Sequence, residues 1–125
     1  MRQDTEPWWR QAEADLKSGE IMLAGGQWYA ASWFAQQAAE KALKALHIEQ
    51  RGQLAPRIHD LERLGHLVGA PTSTQSDLRI LNPAFDQSRY PDNYGVPPVD
   101  AVTAMDATVH VDASRRVLGW VRPLL

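Results

Sequence analysis

Ten residues, Ala35–Gln36–Gln37–Ala38–Ala39–Glu40–Lys41–Ala42–Leu43–Lys44, constrain this chain more than any other stretch. All ten are good helix formers, with neither proline nor glycine among them. At about 100° per residue, Ala35, Ala38, Ala39 and Ala42 fall on one face. The same face takes in Trp28, Ala31, Ser32 and Leu46, so the spacing predicts a helix from about Gln27 to Glu49. So much alanine on one side implies that a partner helix approaches closely. Trp33 lies well off the stripe, beside Gln37 and Lys44, and implies a second contact with another helix or another subunit.

The rest of the chain reads as helices separated by glycine and proline. Asp4 or Thr5 can cap a first helix carrying Trp8, Ala12, Leu16, Gly19 and Leu23 on one face, ended by Gly25–Gly26. The short link to the next helix predicts an antiparallel hairpin. Gln50 to Arg57 is a loop, and Ile58, Leu61, Leu64, Leu67 and Val68 mark a short third helix stopped by Gly69 and Pro71. Thr72, Ser73 and Thr74 offer caps for a fourth helix through Leu78, Leu81, Phe85 and Arg89, which Pro83 should kink or divide. Pro91, Gly95, Pro97 and Pro98 build an irregular connection. A last helix from about Pro98 to Asp100 onward shows Val102, Met105, Val109, Ala113, Val117 and Trp120 on one side and Ala104, Val111 and Leu118 opposite. Two apolar faces place it centrally or under a partner. No strand pattern or internal repeat is present.

A chain of 125 residues forms one domain, 1–125, with a polar tail at residues 1–5. Thirteen basic and fifteen acidic side chains leave a net charge of −2, which is no broad footprint for nucleic acid. Without cysteine there is no disulfide framework, thiolate metal site or thiol nucleophile. The longest apolar run, Trp28 to Ala35, falls far short of the ~20 residues needed to cross a bilayer. Met1 to Pro7 is polar and acidic, unlike a signal peptide. These features predict a soluble cytoplasmic protein without membrane contact.

The order of several landmarks resembles the HEPN domain family. They are Trp9 through Asp15–Leu16, then Trp28–Tyr29, the Ala35–Lys44 run, His59–Asp60–Leu61 with Leu64, and Arg89–Tyr90–Pro91–Asp92. The likeness spans about Trp8 to Trp120, and the Arg-Tyr-Pro-Asp element after the alanine-rich run makes it specific. It implies an all-α antiparallel bundle of about five helices, commonly dimeric. Members are often encoded beside a minimal nucleotidyltransferase in toxin–antitoxin-like pairs. Others are linked to nucleotide binding, and many are metal-independent ribonucleases bearing an Arg-x4-6-His element. Here the histidine positions after Arg89 hold Tyr94, Gly95 and Val96. The resemblance therefore points to a dimeric, nucleotide-binding accessory protein of a nucleotidyltransferase rather than to an enzyme. A metal-independent ribonuclease with an atypical site and a purely structural oligomerisation domain are the alternatives.

Arg89 is the leading candidate for ligand contact, because a guanidinium offers a rigid fork of donors to phosphate. Tyr90 beside it can stack on a base. The plainer reading pairs Arg89 with Asp92 to hold the loop. Asp92 suits a turn better than a lone metal carboxylate, and Tyr94 can meet a phosphate or cover the bundle end. His59, near Arg57 and Arg51, gives its loop local positive character, although the first turn or cap of the third helix is its ordinary place. Lys41 and Lys44 belong to a solvated face or to an anion site facing Arg89. His47, His66 and His110 have no ligand-like spacing, so neither a metal nor a cofactor is expected. Nucleotide or RNA is the expected small ligand.

Overall fold

The computed structural model describes residues 1–91 and 95–125, and the alanine-rich segment lies inside its longest helix. Among the described residues, seven α-helices follow in order: α1 (Glu6–Ala24), α2 (Trp28–Arg51), α3 (Leu61–Val68), α4 (Thr72–Leu81), α5 (Ala84–Gln87), α6 (Pro98–Ala101) and α7 (Ala104–Val121). A 3-10 turn, Arg122–Leu124, closes the chain. Five of these run for eight residues or more, and two are single turns of four residues. The described residues contain no strand.

Helix α2 is the axis of the bundle. It packs against α1, α7 and α3, while α4 closes over α7. Its alanines 31, 35, 38, 39, 42 and 45 are fully buried. The close approach they permit is shared by α1, where a Cβ at Gly19 would meet the carbonyl oxygen of Ala31 and Cβ of Phe34 at 3.4 Å. Gly26 makes the reversal between α1 and α2 with φ of 76°, a conformation other residues rarely adopt. Leu43, Leu46, Leu61, Leu64, Leu78, Leu81, Val111 and Leu118 fill the interior beyond the alanines.

Pro83 divides the fourth helix, one of the two outcomes expected of it: α4 stops at Leu81 and α5 begins at Ala84, since the missing proline N–H interrupts the ladder. Two other expectations are corrected by the structure. The last helix starts later than the pattern suggests, because Thr103 caps α7 and Asp106 returns the bond to the Thr103 amide. Val102 consequently lies outside α7. Of the stripe counted from it, Ala113 and Val117 are buried but Met105 is 76% and Val109 42% exposed, because the core face is centred further round, through Ala107, Val111, Ser114, Leu118 and Val121. The second concerns His59, which precedes the cap of α3. Asp60 is the cap, accepting bonds from the amides of Glu62 at 3.0 Å and Arg63 at 3.3 Å.

One clamp fixes where α5 sits. Asn82, between α4 and α5, donates to Asp60 Oδ1 at 2.9 Å and accepts from the Leu61 amide at 2.8 Å. The end of α4 is thereby tied to the start of α3, and α5 is carried next to His59.

Candidate functional site

Side chains at helical spacing along α2 form a polar seam beside the alanine face. Gln36, Glu40 and Lys44 are all buried on it. Glu40 accepts from Lys44 Nζ at 3.1 Å and from Gln36 Nε2 at 3.3 Å. The same carboxylate receives His59 Nδ1 at 3.0 and 3.2 Å to its two oxygens. A carboxylate can only accept, so Nδ1 donates and Nε2 is directed away from Glu40. Lys44 and Glu40 therefore do not belong to a solvated face, contrary to the ordinary meaning of such charges on a helix. Burying an ion pair is costly unless its remaining sites are hydrogen-bonded, and Gln36 and His59 supply those bonds.

From His59 the arrangement turns aromatic. Its ring stacks on Phe85 of α5, with centroids 4.4 Å apart and planes 19° from parallel. Phe85 in turn meets Trp33 of α2 at 5.7 Å, tilted by 47°. The Arg89 guanidinium lies 4.8 Å from the Phe85 ring, 5.0 Å from Trp33 and 5.2 Å from Tyr90. Such contacts use the face of a guanidinium and leave its N–H donors at the edge. Arg89 is exposed and has no carboxylate partner among the described residues. The off-stripe Trp33 thus meets α5 and Arg89 within the same chain.

Of the six residues singled out from the sequence, His59 and Arg89 meet at Phe85, and Tyr90 lies beside Arg89. Lys41 is held elsewhere: its ammonium pairs with Asp15 at 2.6 Å, donates to Gln37 at 3.2 Å, and borders a small pocket with Pro7, Trp8 and Gln11. Gln37 and Gln36 connect the two ends, since Gln37 Nε2 donates to Gln36 Oε1 at 2.7 Å. Asp92 and Tyr94 lie outside the described residues. Arg51 does not add its charge freely to the His59 loop, because its guanidinium donates to the Leu67 carbonyl at 2.6 Å. Sequence reasoning missed Phe85, assigned to a core stripe, and Glu40, assigned to solvent. The i,i+4 spacing of Glu40 and Lys44 was the available signal.

An open groove of about 480 Å³ runs beside the stack, lined by His59, Asp60, Asn82, Phe85 and Asp86 together with Glu62, Arg79 and Pro83. Hydrogen bonds from Asn82 and from the Arg63 and Glu62 amides hold the Asp60 carboxyl below the usual carboxylate range. No group of three His, Cys, Asp or Glu residues suited to a metal ion occurs among the described residues. None of the helices described is long and apolar enough to cross a membrane.

The family model described as the HEPN domain matches residues 5–124. Among solved structures, TT1696 from Thermus thermophilus is similar with a TM-score of 0.91 and 29% identity, covering 99% of this chain and 100% of that one. ST0689, an archaeal HEPN homologue, is similar with a TM-score of 0.80 and 32% identity over 98% of both chains. No curated protein matches the chain.

Proposed function

The chain belongs to the HEPN domain family, and from that premise we propose that it is a dimeric accessory protein. In this reading it binds a nucleotide or nucleotide-bearing ligand and partners a separately encoded minimal nucleotidyltransferase, in a toxin–antitoxin-like setting in the cytoplasm. The observation that carries it is Arg89, an exposed guanidinium held among three rings beside His59. Rings for a base and an adjoining phosphate donor are the two parts that recognition of a nucleotide requires. The dimer draws support from Val99, Met105 and Val109, which are 62%, 76% and 42% exposed on α6 and α7.

Titration of AMP, GMP and a short single-stranded RNA by calorimetry, with RNA integrity read on the same samples, tests the binding. Wild type should bind and leave RNA intact, and Arg89→Ala should weaken the phosphate-bearing ligands by about tenfold, ~1.4 kcal/mol. Binding unchanged in Arg89→Ala would remove the basis of this reading. Sedimentation of wild type as a monomer at micromolar concentration would remove the dimer.

The contact between His59 and Glu40 favours one second reading. A histidine oriented by a buried carboxylate is the arrangement of a general base, so a metal-independent ribonuclease using His59 and Arg89 is the alternative. It requires RNA cleavage in EDTA that disappears in both His59→Ala and Arg89→Ala. Absence of both binding and cleavage would leave a structural oligomerisation domain.

A further inference from the structure

The face carrying the proposed nucleotide site has a second side that Arg89 does not line: the groove between the α3 cap and α4–α5. We propose that this groove receives the nucleoside part of the ligand, stacked on His59, and that it selects against polyphosphate. The inference rests on the nucleotide-binding reading above and specifies which end of the ligand enters.

The platform is prepared in advance. One face of the His59 imidazole is covered by Phe85 at 4.4 Å, yet the side chain as a whole remains 55% exposed. Two bonds to the buried Glu40 carboxylate fix the ring from its Nδ1 edge. A planar group arriving on the free face continues the stack and loses little to ordering of the protein. Base stacking on such rings recurs in recognition of single nucleotides and single strands. The volume of about 480 Å³ also lies within the range of small-ligand sites, roughly 300–1,000 Å³.

The charges around the platform decide what else can enter. Asp60, Glu62 and Asp86 contribute three carboxylates to the lining against the single guanidinium of Arg79. Arg79 lies 3.9 Å from Glu62 in an exposed pair, and setting the two against each other still leaves the Asp60 and Asp86 carboxylates in excess. Asn82 and the two cap amides all engage Asp60 Oδ1, leaving Oδ2 without a partner among the described residues. Carboxylates and the Asn82 side chain suit ribose hydroxyls and exocyclic amino groups, which donate hydrogen bonds. A triphosphate in the same place meets like charge at short range. Arg89 approaches Phe85 without lining the groove, so any phosphate it contacts stands outside.

Calorimetric titration of adenosine, AMP and ATP at low salt without magnesium tests the inference. Wild type, His59→Ala and the double variant Glu62→Gln/Asp86→Asn are compared, each with its fold checked by circular dichroism. AMP should bind about tenfold more tightly than adenosine through the Arg89 contact to its phosphate, ATP about tenfold more weakly than AMP, and the double variant should narrow the gap between ATP and AMP. Folded His59→Ala should lose adenosine. ATP binding tighter than AMP, or adenosine binding unaffected by His59→Ala, would overturn the inference while leaving nucleotide binding in place. Failure of all three ligands to bind wild type would overturn the nucleotide-binding reading and the inference with it.

Discussion

The residue that organises the site is Glu40, a carboxylate kept in the interior by three donors on two elements. Removing one of them leaves a buried charge short of compensation, so Lys44→Met should destabilise the protein by roughly 1–3 kcal/mol in urea unfolding. Native stability in that variant would mean that the lysine contributes little. A second buried polar contact, His110 Nδ1 to Ser32 Oγ at 2.8 Å, joins α7 to α2. Burial lowers the His110 pKa from 6.5, and the Asp106 charge only partly opposes this. Below about pH 6.5 the unfolded chain takes up this proton before the folded one does, so stability falls as pH falls and levels off beneath the folded pKa. Stability measured from pH 7.5 to 5 should therefore decline less in His110→Gln than in wild type; parallel curves would exclude His110 as the source. The i,i+4 spacing of Glu40 and Lys44 signals a pair but not its burial, and nothing signals that of His110, because burial follows from how the helices meet.

Among the elements, α3 and α5 matter through their junctions rather than their length. The Asp60–Asn82 clamp sets α5 against the His59 loop, and α5 supplies Phe85, the ring that His59 and Arg89 share. Asn82→Ala should cost about 1–2 kcal/mol of stability, from the lost bond and the orphaned Leu61 amide. It should also weaken nucleotide binding although Asn82 lies on the Asp60 side of the groove rather than beside Arg89. Wild-type stability would show that the clamp is dispensable. Helix identity was readable here: Pro83 marks the division of α4 from α5, and the alanine run marks α2. Less readable were the joints. Thr103 with Asp106 is a capping box in plain sight, but apolar Val102 extends the stripe through it and conceals the boundary. Phe85 likewise continues the spacing of Leu78 and Leu81, so periodicity alone cannot distinguish a core ring from one that stacks on a loop histidine.

For the whole molecule, the sequence carried the fold further than the function. One alanine-rich helix and the Arg-Tyr-Pro-Asp element were enough to suggest the family that residues 5–124 match. The meeting of His59 with Arg89 was beyond reach, since it takes all of α3, α4 and α5 to bring them to a common ring. What the bundle builds is one continuous face: a buried polar seam on α2 orients His59, an α5 ring carries the stack, and Arg89 stands at its far edge. The proposed function requires a nucleotide to bind on this face. Backbone amide chemical shifts followed by NMR during titration with AMP test this. Saturable shifts concentrated at His59–Asp60 and at Phe85–Tyr90 are the predicted result. Shifts confined to α1 and the outer side of α7, or none at millimolar AMP, would contradict it.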